Sequence, residues 1–266
     1  MRNDNEKRVI TAHSWVASML LAIVAATTNI GIANGAGGDE HIPSQRWSFD
    51  GVFGKFDRSE LQRGLQVYIE VCANCHSLEY VAYRNLTEIG YDETQIKAIA
   101  SQYEIEDGPN SDGEMFTRKA RPSDYFVKPY ANDVEAAVMN NGAFPPDLSL
   151  IYKARSGGAD YIYALLTGYE EEAGDHEVPE ELYYNPYFPG GAVAMPQPLY
   201  GDDVEYADGT IASIEQEARD ISAFLSWAAE PKLNMRKKLG VKVLLFLAVL
   251  SALLFASKRK IWREIH

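Results

Sequence analysis

Apolar residues recur at helical spacing early in the central part of the chain. Leu61, Leu65 and Tyr68 fall on one face of a helix with 3.6 residues per turn. Asp57 precedes this run, and Glu60 follows it three positions later, which is the spacing of a capping pair. The pattern therefore predicts an amphipathic helix that begins just after Asp57.

A second amphipathic stretch lies near the end of the central part. Ser213 and Gln216 have the spacing of another helix start, and Pro231 predicts where the helix stops. Shorter helices are predicted over 132–139 and 161–166. The apolar positions of the second stretch are Ile214, Ala218, Ile221 and Leu225.

The segments between these helices are rich in turn residues. Glycine, proline and asparagine cluster around 108–110, 140–142, 145–147 and 189–191, and no strand pattern is sustained. Many of the 4 Trp, 16 Tyr and 10 Phe fall in these loops. A compact domain with so little regular structure predicts a large flat apolar cofactor that completes its core. The predicted fold class is mainly α with long loops.

The two ends of the chain have the patterns of membrane segments. Residues 239–257 are mostly apolar with one charge, Lys242, and are flanked by basic residues on both sides, which predicts one transmembrane helix. The alternative is a buried helix of a globular core. At the other end, a basic start, an apolar run over 16–26 and small residues over 31–38 predict a signal peptide over 1–35. An uncleaved anchor or a buried helix is the alternative there.

Charge separates the ends from the body. The net charge is −13, although both ends are net basic, so the body is strongly acidic. This field repels nucleic acid and attracts a basic protein partner, unless the acidity only keeps the domain soluble. The candidate residues for such steering are Glu170, Glu171, Glu172, Asp202, Asp203 and Glu205.

The only two cysteines of the chain lie in Cys72-Ala73-Asn74-Cys75-His76. Two thiols at this spacing can each form a thioether with a vinyl group of a haem, and the adjacent histidine can bind the iron. The alternatives are a thiol–disulfide redox pair and half of a zinc site. A redox pair would belong to a βαβ pattern, which is missing, and zinc would need two more ligands. The other histidines are scattered: His13, His41, His176 and His266.

An electron-transferring haem needs a sixth iron ligand. Met195 lies in the loop 188–198, where Gly and Ala allow close approach to a ring and two prolines stiffen the chain. His/Met ligation raises the reduction potential, as a late electron carrier needs. The alternative is a haem enzyme of peroxidase type with an open sixth site. The other candidate ligands are Met115, Met139, His41 and His176, whereas Met235 lies at the predicted membrane edge.

Several further segments match a known family in their order and spacing. From about Trp47 to Trp262 the sequence resembles the cytochrome c1 family, the haem subunits of the cytochrome bc1 complex (ubiquinol–cytochrome c reductase). Besides the attachment motif, the matching segments are Tyr83-Arg84-Asn85-Leu86, Gly108-Pro109-Asn110, Asp112-Gly113-Glu114-Met115-Phe116, Pro145-Pro146-Asp147-Leu148-Ser149, Tyr184-Asn185-Pro186-Tyr187-Phe188-Pro189-Gly190 and Trp227-Ala228-Ala229-Glu230-Pro231.

The resemblance implies the site residues and the partners. It implies one haem c bound through Cys72 and Cys75, with His76 and Met195 as axial ligands. It also implies Arg118 near a haem propionate, a role that the nearby Arg121 could take instead. The implied partners are cytochrome b and a Rieske iron–sulfur protein, with a cytochrome c as electron acceptor and a dimeric complex.

The predicted signal peptide, which exports the body of the chain first, and the resemblance together imply how the chain is arranged. Residues 36–231 form a periplasmic haem domain of the c-type cytochrome class, and 232–266 form the anchor and a short cytoplasmic tail. The implied location is a bacterial inner membrane. No independent catalysis is expected; the chain is a redox subunit of a quinol–cytochrome c oxidoreductase.

Overall fold

The computed structural model describes residues 41–171 and 177–263, so the predicted signal peptide lies outside them. The predicted mainly α fold class with long loops and a C-terminal apolar helix is confirmed. The α-helices are α1 (Arg58–Glu70), α2 (Glu93–Ala100), α3 (Asp133–Met139), α4 (Ile151–Ala154), α5 (Ala159–Thr167), α6 (Ile214–Ala229) and α7 (Leu233–Arg263), and 3₁₀ turns span Cys72–Asn74 and Tyr83–Ile89.

The first helix begins where the sequence predicts. The Asp57 carboxylate accepts hydrogen bonds from the backbone N–H groups of Ser59 (2.8 Å) and Glu60 (3.4 Å), which are otherwise unpaired at a helix start. The side chain of Glu60 does not complete a capping box but accepts from Ser48 Oγ at 2.8 Å. The predicted face of α1 is confirmed as core, since Leu61 and Tyr68 are both buried.

The second long helix packs directly on the first. Ser213 Oγ accepts from Gln216 N at 3.3 Å, as predicted, and α6 ends at Ala229, two residues before Pro231. The helices approach so closely at Gly64 that a Cβ there would lie 2.1 Å from the carbonyl oxygen of Asp220. This contact makes the α1–α6 pair the centre of the hydrophobic core.

Of the shorter helices, α3 and α5 confirm the predictions for 132–139 and 161–166. Helix α2 was not predicted. It is capped by Asp92, whose carboxylate accepts from Thr94 N (2.8 Å) and Gln95 N (2.9 Å). Only Ile96 and Ala100 of this helix are buried, so its apolar periodicity is too short to read from the sequence.

Two short antiparallel ladders accompany the helices. Strand β1 (Glu104–Asp107) pairs with β2 (Phe116–Lys119), and β3 (Tyr183–Tyr184) pairs with β4 (Ala192–Val193). Four residues or fewer give no sustained alternation, which is why the sequence shows no strand pattern. The β1–β2 ladder closes the loop 108–115, which carries the candidate ligand Met115. The β3–β4 ladder closes the loop 185–191, shortly before Met195.

Helix α7 is longer than the predicted 239–257. Leu233 is buried in the core of the domain, and the helix continues through basic residues that are good helix formers at both ends of the apolar stretch. Among the residues that the structure describes, α7 alone is long and apolar enough to cross a membrane; an 18-residue stretch of it has a mean hydropathy of 2.5 and lies exposed.

Candidate haem site

The cysteine motif directly follows helix α1. The helix ends at Glu70, and the chain tightens into the 3₁₀ turn, where the Cys72 carbonyl accepts from Cys75 N (3.1 Å) and His76 N (2.9 Å). The Asn74 amide donates back to the carbonyl of Glu70 at 3.2 Å, which satisfies one of the last carbonyls of the helix. One compact turn therefore holds both thiols and the imidazole.

The two thiols are free, with Cys72 half-buried and Cys75 exposed. Burial raises the pKa of the Cys72 thiol to about 12, whereas a redox dithiol needs a lowered pKa. Nowhere in 41–171 or 177–263 do three His, Cys, Asp or Glu side chains group to hold a metal, and the sheets there are antiparallel. Two cysteines that no disulfide joins, directly before a histidine, fit the attachment of a covalently bound haem.

The imidazole of His76 is oriented by the opposite loop. Its Nδ1 donates a hydrogen bond to the carbonyl oxygen of Pro146 at 2.8 Å, because a carbonyl can only accept. Burial lowers the pKa of His76, which favours the neutral imidazole that metals bind. Nε2 is then the nitrogen that is left to bind iron.

Asp147 ties the loop that carries Pro146 to the residues after the motif. Its carboxylate accepts from Ser77 Oγ (2.8 Å) and Glu79 N (2.8 Å), as well as from the backbone of Ser149 (2.9 Å). The sequence predicts a turn here and a family match, but no role in the site for Pro146 or Asp147. The signal was an acidic residue directly after two prolines, which is typical of a stiff, hydrogen-bonded turn.

Met195 lies on a separate loop and is half-buried. The hydroxyl of Tyr169 donates to the Met195 carbonyl at 3.0 Å, and the preceding Val193 is buried in the core. Every other methionine within the described residues is exposed: Met115 55%, Met139 68% and Met235 60%. His41 is exposed as well, and His13, His176 and His266 lie outside the described residues.

The base of the Met195 loop depends on Asn185, a residue that the sequence assigned no role. Asn185 is fully buried; its side chain donates to the Leu165 carbonyl at 2.7 Å, and its backbone N–H donates to Gly191 at 2.9 Å. Gly190 and Gly191 have φ of +80° and +73°, a backbone conformation that favours glycine. The loop is thus held at its base, and the strand β4 leads directly to Met195.

Arg118 lies in β2 with its side chain mostly buried. Its guanidinium pairs with the carboxylate of Asp107 and, at 2.7 Å, with that of Asp124. The guanidinium lowers the pKa of both carboxyls, so both are ionised. A propionate would be a third carboxylate around one cation, and the predicted role of Arg118 stays a prediction. Arg121, the alternative, is exposed.

The acidic residues predicted to steer a partner divide into two groups. Glu170, Glu171, Asp202 and Glu205 are exposed and available to a partner. Asp203 is half-buried and accepts from Tyr200 N (2.7 Å) and Gly201 N (3.0 Å), so it holds a turn together instead. Glu172 lies outside the described residues.

The Cys72–Cys75 pair, with the oriented imidazole of His76 directly after it, has the arrangement of a c-type haem attachment site. The comparisons with known proteins give the family. A model of the Cytochrome C1 family matches residues 47–265, and the chain belongs to this family. It therefore carries one covalently bound haem c and is an electron-transfer subunit of the bc1 type.

Similar proteins occur in bacteria and in mitochondria. The chain is 46% identical to cytochrome c1 of Rhodospirillum rubrum, over 97% of each protein. It is 48% identical to the mitochondrial cytochrome b-c1 complex catalytic subunit of Candida albicans, over 85% of this chain and 78% of that protein. It is 45% identical to cytochrome b/c1 of Bradyrhizobium diazoefficiens, over 94% of this chain but only 40% of that longer protein.

Proposed function

We propose that the chain relays single electrons from a Rieske iron–sulfur protein to a cytochrome c, as the haem subunit of ubiquinol–cytochrome c reductase. His76 and Met195 are the proposed axial ligands of a haem c attached through Cys72 and Cys75. The observation that carries the proposal is the hydrogen bond from His76 Nδ1 to the Pro146 carbonyl directly after two free thiols.

In this proposal the protein positions ligands and makes no bond in a substrate. When bound, haem c supplies a one-electron couple between ferric and ferrous iron. Pro146 fixes the tautomer of His76, so that Nε2 is aimed away from the backbone. Tyr169 and Asn185 brace the loop of Met195 on either side, which limits the freedom of the thioether before it binds.

The exposed acidic residues support a basic electron acceptor. Glu170, Glu171, Asp202 and Glu205 lie on the surface of a chain with a net charge of −13. Such a surface raises the rate at which a cationic cytochrome c collides in a productive orientation. The rate constant for reduction of that cytochrome should therefore fall steeply as the ionic strength rises, and a flat dependence would contradict the steering.

The proposed topology follows the two ends of the chain. Residues 1–35 are a signal peptide, 36–231 the haem domain on the periplasmic side, and 232–266 the anchor with a cytoplasmic tail. The support is α7, whose apolar surface is exposed and long enough for the hydrocarbon layer. Anchoring holds the haem domain beside cytochrome b and the Rieske protein in a complex that we expect to be dimeric.

The test uses the full chain matured with haem in a bacterial membrane. After denaturing electrophoresis, the wild type should keep a haem stain, and the double variant Cys72→Ala/Cys75→Ala should lose it. In the folded protein, Met195→Leu should abolish the sulfur–iron charge-transfer band and open the iron to carbon monoxide.

Met115→Leu is the matched control, because it removes a thioether from an exposed residue. It should keep the charge-transfer band and stay closed to carbon monoxide. A wild-type protein that binds carbon monoxide readily would contradict the electron relay and favour the peroxidase-type alternative. A wild-type protein without covalent stain would contradict the proposal as a whole.

A further inference from the structure

Two large apolar side chains are exposed at the tip of a short loop before α1. The turn over 50–54 leaves Val52 62% and Phe53 82% exposed. Exposure of this size is unfavourable in water, and two adjacent apolar residues at a loop tip are typical of a surface that meets another phase or protein.

The loop stands on a rigid base. Phe49 and Phe56 on either side of it are buried, with ring centroids 4.8 Å apart. The backbone N–H of Lys55 donates to the carbonyl of Ser48 at 3.0 Å and closes the loop. A Cβ at Gly54 would lie 1.9 Å from the Asp50 carbonyl, so the turn can close this tightly only with glycine there. The fold therefore holds the tip of the loop in its exposed position.

The loop is fastened to the beginning of α7. The Lys237 ammonium donates to the carbonyl oxygens of Phe49 and Gly51, the latter at 2.6 Å. Asn234 Oδ1 accepts from the backbone N–H of Phe56 at 3.2 Å. With Leu233 buried in the core, the first turns of α7 and the loop form one structural unit.

This attachment sets the level of the loop relative to the apolar part of α7. Lys237 precedes Leu239, where the apolar stretch begins, by two residues, or about 3 Å along a helix. A loop whose carbonyls bind the Lys237 ammonium therefore lies near the end of the hydrocarbon layer that the stretch would cross. At that level a phenyl ring reaches the boundary between headgroups and acyl chains.

The surroundings of the loop are basic although the chain is acidic. Arg236 pairs with Glu230 at 2.7 Å, and Lys232 pairs with Glu88 at 2.7 Å, so part of this charge is balanced. Anionic headgroups are the complementary surface for the cations that are exposed here. The exposed cations in the segments that these contacts join are Lys55, Arg58, Lys232, Arg236 and Lys238, and the exposed acids beside them are Asp50 and Asp57.

We propose that Val52 and Phe53 insert into the headgroup–acyl boundary of an anionic bilayer and form a second membrane contact beside α7. The proposal rests on α7 as the membrane anchor proposed above. The loop, the ammonium clamp and the helix then fix the tilt of the haem domain over the membrane. A second protein subunit that covers the same loop is the competing occupant.

The experiment uses the haem-loaded full chain, in which the thiols of Cys72 and Cys75 are consumed, so that an introduced cysteine is the only site for a nitroxide label. Phe53→Cys is labelled and reconstituted in nanodiscs of mixed zwitterionic and anionic phospholipid, with the haem reduced. Electron paramagnetic resonance then measures the accessibility of the label to oxygen, which concentrates in lipid, and to a water-soluble nickel chelate.

Ile211→Cys is the matched control, since Ile211 is 79% exposed and lies on the loop before α6. The label at 53 should be several-fold more accessible to oxygen relative to nickel than the label at 211. Equal ratios at the two sites would overturn the proposal. A label at 53 that the native complex, but not the nanodisc, shields from both reagents would also overturn it in favour of a protein subunit.

A third label separates this proposal from the anchor itself. Leu253→Cys places a label in the apolar stretch of α7, where Leu253 is 61% exposed. If that label is accessible to oxygen and the label at 53 is not, α7 spans the membrane and only the loop contact fails. If the label at 253 is accessible to nickel, the anchor fails, and the loop contact fails with it.

Discussion

The imidazole of His76 is bound to the carbonyl of Pro146 across 70 positions of sequence, with 2.8 Å between Nδ1 and the oxygen. The turn that carries Cys72 and Cys75 is formed locally by α1, but the orientation of the ring depends on this distant loop. Asp147 also joins the two segments, because its carboxylate accepts hydrogen bonds from Ser77 after the cysteine motif and from Ser149 on its own loop. Tertiary structure therefore decides that Nε2 is the nitrogen left for the proposed iron ligation.

Asp147→Asn should loosen this junction. The amide keeps one acceptor oxygen and loses the other, so the donors at Ser77, Glu79 and Ser149 cannot all be satisfied. We expect a loss of about 1–3 kcal/mol in the free energy of unfolding, measured by denaturant titration of the haem protein. Asp112→Asn, at an exposed position, should change stability by less than about 0.5 kcal/mol. Equal effects of the two variants would contradict the role of Asp147.

Arg118→Gln tests whether this guanidinium acts on the haem. Removal of a positive charge near a propionate favours the ferric state and lowers the reduction potential, on the order of 50 mV for a roughly tenfold change in the equilibrium. Potentiometric titration measures the shift. Arg121→Gln should leave the potential unchanged if Arg118 holds the role. If Arg118→Gln lowers the unfolding temperature but leaves the reduction potential unchanged, Arg118 acts only through its ion pairs with Asp107 and Asp124 and not on the haem.

Asp220→Asn should be far more damaging than Asp208→Asn, although both carboxylates pair with Arg63. Asp220 has no exposed side-chain surface and binds Arg63 through two contacts of 2.8 and 3.0 Å, whereas Asp208 is 45% exposed. Loss of the buried partner should cost about 3 kcal/mol of unfolding free energy, and loss of the exposed partner should cost much less because solvent screens it. Thermal unfolding in detergent compares them, and similar midpoints would disprove the difference.

Glu217 should make the fold less stable as the pH rises. Burial, and then the nearby Asp203, raise the pKa of the Glu217 carboxyl from 4.5 to about 7. The folded state thus binds the proton more tightly than the unfolded state, and stability falls between about pH 4.5 and pH 7.

Glu217→Gln keeps the shape without the charge and should flatten this slope, with a gain on the order of 1–2 kcal/mol at pH 8. Denaturant unfolding across pH 4.5–8 measures the effect. Glu215→Gln, exposed on the same helix, is the control and should retain the slope. A Glu217→Gln protein with the wild-type slope would show that other groups cause it.

Much of the helical framework could be predicted from the sequence because its signals are local. Asp57 and Ser213 each bond to backbone N–H groups within three residues, and the apolar faces behind them are continuous. The cysteine motif was equally readable, since both cysteines of the chain occur in it. Helix α2 and the two ladders could not be predicted, because so few of their residues are buried that no apolar periodicity shows in the sequence.

The parts of the site that depend on distant partners could not be predicted in this way. Pro146 and Asn185 act through contacts with His76 and Leu165, which lie 70 and 20 positions away. Nothing in their local pattern shows what they will meet. The pairing of Arg118 with Asp107 depends likewise on the register of β1 and β2, which four-residue strands do not reveal.

The close contact at Gly64 has a consequence for the geometry of electron flow. It packs α1, which leads into the attachment turn, tightly against α6, which leads into α7, the proposed membrane anchor. A porphyrin attached after α1 would keep a constant height above the lipid, because α6 holds α1 at a fixed position relative to the proposed anchor. Variation in tunnelling distance would then come from movement of the electron donor or acceptor, while this subunit serves as the stationary reference point.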